Sequence, residues 1–126
     1  MSVLIDTSIW IDYFRGGNGS KLMDYLIDEN LLVTNDLILT ELIPFLKVRN
    51  ETRVINLLHD INKLNLSINW NEITDYQYKC LKNGLNGIGI PDLLIAQNAK
   101  QNGCKIYTMD NHFNLMKDIL SLQIQT

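Results

Sequence analysis

The sequence predicts an α/β fold in which a central parallel sheet is flanked by helices on both faces. Short apolar runs, typical of buried strands, alternate with longer segments whose apolar residues recur every three or four positions, as in helices. This alternation favours parallel strands joined by crossover helices. The chain has 126 residues, a length that fits one domain covering residues 1–126.

In the first half of the chain, apolar runs mark the strands and capping residues mark where the helices begin. The Gly16-Gly17 pair ends the first helix. In chain order, the predicted elements are a strand at residues 3–5, a helix at 9–14 capped by Thr7 or Ser8, a helix at 21–29 capped by Ser20, a strand at 31–34, a helix carrying residues 37–45 capped by Asn35 or Asp36, and a helix whose buried stripe runs from Val54 through Leu57 to Leu64.

The second half continues the alternation of strands and helices. Apolar and polar residues alternate over residues 64–68, which predicts an edge strand. Pro91 suits the first turn of a helix, and Asn102-Gly103 suits its left-handed end. In chain order, the predicted elements are a strand at 64–68, a helix from Asn71 to about residue 85, a helix at 92–101, a strand at 105–108, a helix at 112–117 and a strand at 120–124.

Composition argues against several classes of protein. The formal net charge is −3, so charge alone does not indicate the basic surface on which general nucleic-acid binders rely. An acidic protein can still act on phosphodiesters if its acids hold metal ions. Its apolar runs fall far short of the roughly 20 residues that span a membrane. Asp6 and Asp12 interrupt any signal-peptide core, which favours a cytoplasmic protein. Cys80 and Cys104 lie in no zinc-binding pattern and are expected to be reduced thiols.

Four of the 14 acidic residues lie where a carboxylate is unusual. Asp6 and Asp110 each follow an apolar strand, at the edge of a parallel sheet where active sites form. Asp92 lies in the first turn of an apolar helix, and Glu41 lies among apolar neighbours of the third helix. Taken singly, each could be a helix cap, a turn residue or a buried hydrogen-bond partner.

Together, the four carboxylates indicate a cation site. Like charges a few ångströms apart cannot all stay ionised in a dry pocket unless a cation neutralises them. An oxygen-only ligand set suits Mg²⁺ or Mn²⁺ rather than zinc. Without these four acids the formal charge would change from −3 to +1, so the remaining surface need not repel a polyanion.

Other enzyme signatures are missing from the chain. No GxSxG or Cys–His motif supports a nucleophile, and the glycine-rich segments at 16–20 and 87–89 lack the spacing of phosphate-binding or dinucleotide-binding loops. A phosphatase that forms an aspartyl phosphate after its first strand would need a second Asp at position 8, where this chain has Ser8.

Four short motifs resemble those of the PIN-domain ribonucleases, and within these the VapC-type toxins of toxin–antitoxin pairs. The motifs are residues 4–10 (LIDTSIW), 40–42 (TEL), 90–96 (IPDLLIA) and 107–113 (YTMDNHF). Each motif alone is weak, but their order over nearly the whole chain is specific. The resemblance implies a three-layer PIN-like fold, endonucleolytic cleavage of RNA, a homodimer, and inhibition by a small cognate antitoxin whose tail covers the acidic groove.

The resemblance also implies a role for each site residue. The catalytic quartet would be Asp6, Glu41, Asp92 and Asp110, with Mg²⁺ or Mn²⁺ bound by Asp6, Asp92 and Asp110. The supporting hydroxyl groups would belong to Thr108 and to Thr7 or Ser8. His112 stands where some relatives carry a further acid, which puts a second metal position in question.

These roles predict metal-assisted hydrolysis of an RNA phosphodiester, in which Glu41 positions or deprotonates the attacking water. The candidate substrate contacts are Arg15, Lys47, Arg49, Lys105 and His112. Two alternatives stay open on the sequence alone: a catalytically silent PIN-like module that binds RNA or protein, and a Mg²⁺-dependent phosphatase.

Overall fold

A parallel sheet of four short strands lies at the centre of the computed structural model, which describes residues 1–126. The strands are β1 (Val3–Ile5), β2 (Leu32–Thr34), β3 (Asn62–Lys63) and β4 (Lys105–Tyr107), and their order across the sheet is β3-β2-β1-β4. β1 and β2 are buried along their whole length, as expected for parallel strands covered on both faces.

Seven helices connect and cover these strands, and none has the length and apolar character needed to span a bilayer. The helices are α1 (Thr7–Phe14), α2 (Ser20–Asp28), α3 (Asp36–Val48), α4 (Thr52–His59), α5 (Trp70–Lys82), α6 (Ile90–Gln101) and α7 (Asn111–Leu120). α3 packs against α1 and α4, whereas α5, α6 and α7 pack against one another. Because right-handed crossovers that run in opposite directions cover opposite faces, these two groups form the outer layers of the predicted α/β fold.

β1 and β4 are neighbours, although almost the whole chain separates them. The chain leaves β1 toward one edge of the sheet, while β4 returns to the other side of β1. This is the topological switch point of the sheet, where a crevice forms beyond the carboxyl ends of the strands. Asp6 and Asp110 follow these two strands, so the topology places both at the mouth of that crevice.

The core is one cluster of buried apolar side chains between the sheet and the two helix layers. Leu4, Ile5 and Ile106 are fully shielded from solvent, and burying each such side chain stabilises the fold by roughly 1.5–3 kcal/mol. α6 is buried along most of its length and packs on β4. Its first turn, which carries Asp92, is therefore held at the same end of the sheet.

Helix caps follow the sequence prediction in part. Asn35 caps α3 by accepting a hydrogen bond from the N–H of Ile38 at 2.8 Å, and Pro91 lies in the first turn of α6. The prediction for α1 was wrong, because the helix begins at Thr7 and Asp6 occupies the N-cap position without a capping hydrogen bond. That difference leaves the carboxylate of Asp6 available to other partners.

Two predicted strands are wrong. Residues 64–68 are irregular, and the third strand is Asn62–Lys63, because the side chains of Asn98 and Gln101 bond the carbonyls of Asn65 and Ser67. Residues 120–124 form only an isolated bridge, in which the N–H of residue 106 donates to residue 123 and its carbonyl accepts from residue 125, both at 2.8 Å. α7 extends to Leu120 and ends at the left-handed Ser121, so the first two residues of the predicted strand belong to the end of a helix.

Candidate metal centre

Asp6 is held at the end of β1 by two hydroxyl groups. Its N–H donates to the carbonyl of Tyr107 at 3.0 Å, which ties together the ends of β1 and β4. Asp6 is 7% exposed, and its Oδ2 accepts hydrogen bonds from Ser8 Oγ at 2.8 Å and from Thr108 Oγ1 at 2.9 Å. These two donors fix the carboxylate in one orientation.

Thr108 connects Asp6 to Asp110. The N–H of Asp110 donates to Thr108 Oγ1 at 2.9 Å, so a single hydroxyl group orients both the first and the last acid of the predicted quartet. Asp110 Oδ1 also accepts from the N–H of His112 at 2.9 Å and thereby caps α7. The capping role that the sequence allowed for Asp110 is therefore real, but it engages only one of the two carboxylate oxygens.

Asp92 projects from the start of α6 toward His112. The Nδ1 atom of His112 lies 3.3 Å from Asp92 Oδ2 and 3.6 Å from Asp110 Oδ1. One potential ligand atom from each of these three residues lies within 4.8 Å of the others. The imidazole of His112 therefore lies between two carboxylates. The sequence had suggested His112 only as a substrate contact, at a position where some relatives carry a further acid.

Glu41 approaches the site from α3. Thr7 Oγ1 donates a hydrogen bond to Glu41 Oε1 at 3.3 Å, which joins the first turn of α1 to the middle of α3. Of the two hydroxyl residues that the sequence left as alternatives, Thr7 contacts Glu41 and Ser8 contacts Asp6. Both therefore take part in the site.

The charges of the four acids are coupled. Burial raises the pKa of Asp92; the hydrogen bond from His112 opposes this shift, and the charges of Asp110 and Asp6 add to it. Burial likewise raises the pKa of Glu41; the Thr7 hydrogen bond opposes the rise, and the charges of Asp6 and Asp92 add to it. The four carboxylates therefore lie close enough for their charges to interact, and Asp92 and Asp110 form the tightest part of this acidic cluster together with His112.

The donor set fits a divalent cation. Two aspartates and one imidazole nitrogen within coordination range of a common point suit Mg²⁺, and suit Mn²⁺ better because that ion accepts nitrogen ligands more readily. A cation there would also stabilise the ionised forms of Glu41 and Asp92, whose pKa values are raised mainly by burial and further by the neighbouring acids. Neither cysteine lies at the site, and burial raises the pKa of both thiols.

The structure separates the basic residues that the sequence grouped as substrate contacts. Arg15 and Arg49 line one small cavity at the far ends of α1 and α3. Lys47 lies on another face of α3 and does not line that cavity. Lys105 lies at the amino end of β4, away from Asp110, so its position does not suit a contact at this site.

Sequence reasoning missed an apolar cavity of about 440 Å³. Its lining residues come from α1, α2, β2 and α4 and the segments that follow α2 and α4, and they include Trp10, Phe14 and Leu57. Leu57 is 60% exposed, although the sequence predicts it in the buried stripe of α4. The apolar residues of α4 cover more than one face of the helix. An apolar face wider than the core needs was the sequence signal that could have indicated this cavity.

The model of the PIN domain family matches residues 3–119. Among curated proteins, no sequence matches the chain significantly.

Three solved structures share the fold. VapBC2 of Rickettsia felis, bound to a DNA fragment from its promoter, is 20% identical with a TM-score of 0.78, over 99% of this chain and 98% of the other. VapBC-1 of nontypeable Haemophilus influenzae is 24% identical with a TM-score of 0.75, and the match covers 99% of this chain and 97% of the other. VapC20 of Mycobacterium tuberculosis, a toxin that cleaves the sarcin–ricin loop, is 13% identical with a TM-score of 0.59. The match covers 90% of this chain and 94% of the other.

The fold and the site define an α/β protein with an acidic cluster, able to hold a cation, at the switch point of a parallel sheet. The match over residues 3–119 narrows this class, and the chain belongs to the PIN domain family.

Proposed function

We propose that this protein is a divalent-cation-dependent endoribonuclease that acts as the toxin of a toxin–antitoxin pair. The observation that supports the proposal is the cluster of Asp92, Asp110 and His112 in a PIN domain, with Asp6 and Glu41 near enough to interact with Asp92 through their charges. The RNA-cleaving toxin from M. tuberculosis, which shares the fold, supports RNA as the substrate. The proposal places the protein in the cytoplasm.

In this proposal, the cation is Mg²⁺ or Mn²⁺, and Asp92 and Asp110 hold it together with Asp6. The ring nitrogen of His112 lies close enough to both Asp92 and Asp110 to join this ligand set. Ser8 and Thr108 orient Asp6 so that it need not reorganise when the cation binds. When bound, such a cation lowers the pKa of a water molecule and neutralises charge on the phosphoryl oxygens.

Glu41 is the proposed acceptor of the proton from the attacking water. Its pKa lies above the ordinary value because its carboxyl group is partly buried and near two acids, and a general base works best when its pKa approaches the working pH. Thr7 holds one carboxylate oxygen in place. The other oxygen makes no protein hydrogen bond and can face the water.

The partner in this proposal is a small antitoxin, as in the VapBC complexes that share the fold. The cavity of about 440 Å³ near α1 and α4 is the surface we propose for its apolar segment. Trp10, Phe14 and Leu57 line that cavity, so an apolar segment of a partner would meet mainly apolar side chains there. The proposal also includes a homodimer, which light scattering after size exclusion would test.

The decisive experiment compares the wild-type protein with D6N and D92N on a mixed single-stranded RNA, with Mg²⁺, with Mn²⁺ and with EDTA. We expect internal cuts only in the wild-type protein and only with a cation. The matched control is D118N, an exposed acid on α7, which should cleave normally. Cleavage in EDTA or by D92N contradicts the scheme; RNA binding without cuts favours a silent binding module, and release of inorganic phosphate favours a phosphatase.

A further inference from the structure

The facing surfaces of α1 and α3, here called the crevice, lead away from the acidic cluster. Thr7 and Glu41 mark its first end, where their side chains are hydrogen-bonded. Ile11 follows Thr7 by four residues on α1, and Phe45 follows Glu41 by four residues on α3. After four more residues, Arg15 and Arg49 lie at the C-terminal ends of the two helices. Residues spaced by four share one face of a helix, so the two helices present three matched pairs along a common path.

The far end of the crevice is a basic pocket. Ile11, Phe45, Arg15 and Arg49 all line a cavity of about 170 Å³. The guanidinium carbon of Arg49 lies 4.4 Å from the centre of the Phe45 ring, a stacking contact that orients the group and leaves its N–H edge free. Neither arginine takes part in an ion pair, even though Glu51 also lines the cavity.

We propose that this crevice binds the backbone of single-stranded RNA, with Arg15 and Arg49 holding phosphates on one side of the scissile bond. This inference rests on the proposed function and gives its substrate a path. Eight residues of helix separate the pairs at the two ends, so the arginines stand about 12 Å from the acidic cluster along the helix axes. A phosphate at the scissile bond and others near the arginines therefore belong to different nucleotides of one strand.

Charge complementarity favours RNA over a protein segment as the occupant. The crevice passes from a cation-binding end to an arginine end, so both ends attract phosphate, whereas its apolar floor of Ile11 and Phe45 offers a surface to bases or ribose. Arg15 and Arg49 also occupy the C-cap positions of α1 and α3, where a positive charge stabilises a helix. The test must therefore separate RNA binding from stability.

The test measures the affinity of R15Q and R49Q for a short labelled RNA over a series of KCl concentrations. All chains carry D92N, so that no cutting occurs. We expect each substitution to weaken binding severalfold for every RNA sequence and to make the slope of log K against log [salt] shallower by about 0.7. The control, K117Q, removes the same charge from the α7 side of the sheet and should leave the slope unchanged. Melting temperatures identify any purely structural effect.

Salt slopes for R15Q and R49Q equal to that of K117Q would overturn the inference. If R15Q and R49Q keep the salt slope of K117Q but bind a co-purified antitoxin more weakly, the crevice belongs to a protein partner instead. Because this assay reads binding alone, absence of cleavage by the wild-type protein would contradict the proposed function without deciding the path of the strand. For a wild-type protein that cleaves, R15Q should raise KM more than it lowers kcat.

Discussion

Asn35 Nδ2 donates a hydrogen bond to Asn98 Oδ1 at 2.9 Å, and both residues are buried. Asn35 caps α3, which carries Glu41, and Asn98 lies on α6, which carries Asp92. Asn98 also donates to the carbonyl of Asn65 at 2.9 Å. One buried pair of amides thus joins the two helices that approach the acidic cluster from opposite faces of the sheet.

Removing this amide should cost stability. N98A leaves the buried Asn35 amide without its acceptor and removes the donor to the Asn65 carbonyl. The expected loss is about 1–3 kcal/mol in the free energy of unfolding, mainly from the unsatisfied Asn35 amide. Urea denaturation measures the change. N83A is the matched control, because Asn83 is exposed and bonds only the backbone of its own helix; it should change stability by less than about 0.5 kcal/mol. Equal losses in the two variants would contradict the role of the pair.

Cation binding should stabilise the protein in a pH-dependent way. In the metal-free protein the raised pKa values of Glu41 and Asp92 favour the protonated acids, so their contribution to stability is present at low pH and is lost as the pH rises through those values. At neutral pH, Mn²⁺ at a hundred times its Kd should add about 2.7 kcal/mol. Thermal unfolding with Mn²⁺ and with EDTA measures this gain.

The gain should shrink as the pH falls, because protons compete with the cation for the same carboxylates. D92N supplies the comparison, since it lacks one proposed ligand and should respond weakly to Mn²⁺ at every pH. A gain that is independent of pH, or that is equal in D92N, would argue against a cation bound at these residues.

Glu41 should set the acidic limb of the pH profile. As the pH falls through its pKa, which lies above the ordinary value, the side chain gains a proton and can no longer accept one from water. The cleavage rate should fall accordingly. E41Q should lower kcat by about 10²–10⁴-fold and remove that limb. A profile unchanged in E41Q would show that another group controls the reaction.

The hydrogen bonds of the Thr108 hydroxyl, and not only the volume of its side chain, should strengthen cation binding. T108V keeps the shape of the side chain but removes the donor to Asp6 and the acceptor for the N–H of Asp110. We expect about 10–100-fold weaker Mn²⁺ binding, a usual cost of losing an outer partner of a metal ligand. T108S, which retains the hydroxyl, should bind nearly as well as the wild-type protein. Isothermal titration with Mn²⁺ compares the three chains.

The apolar cavity gives a prediction for the partner. L57D places a charge where we propose an apolar antitoxin segment, and co-purified antitoxin should bind at least tenfold more weakly, or about 1.4 kcal/mol. L81D is the control, because Leu81 is similarly exposed on α5. Surface binding measurements on refolded complexes give both affinities. Equal losses would place the antitoxin elsewhere.

The sequence predicted β1, β2, β4 and the acids that follow β1 and β4, because these features depend on local pattern. An apolar run followed by an acid, as at Ile5-Asp6, indicates a strand and the end of that strand at once. With parallel strands, this pattern places Asp6 and Asp110 at the same edge of the sheet, and the pairing of β1 with β4 makes them neighbours. Their catalytic roles stay predictions, since geometry shows proximity and not turnover.

Features that depend on the packing of distant helices were out of reach. Lys47 and Arg49 are indistinguishable as sequence, but only Arg49 lies on the face of α3 that meets Arg15. The predicted strand at residues 64–68 has a plausible pattern, yet Asn98 and Gln101 from α6 take its backbone carbonyls. No periodicity reveals such competition, because it needs the position of α6 against the sheet.

The isolated bridge near the C-terminus has a consequence for handling this protein. β4 is an outer strand of the sheet, and residues 123 and 125 occupy the polar groups that Ile106 presents on its outward side. Deleting this closing segment would leave a bare strand edge, a known template for aggregation. A protein without residues 122–126 should therefore precipitate or self-associate. The exposed edge would be that of β4, the strand that leads to Asp110.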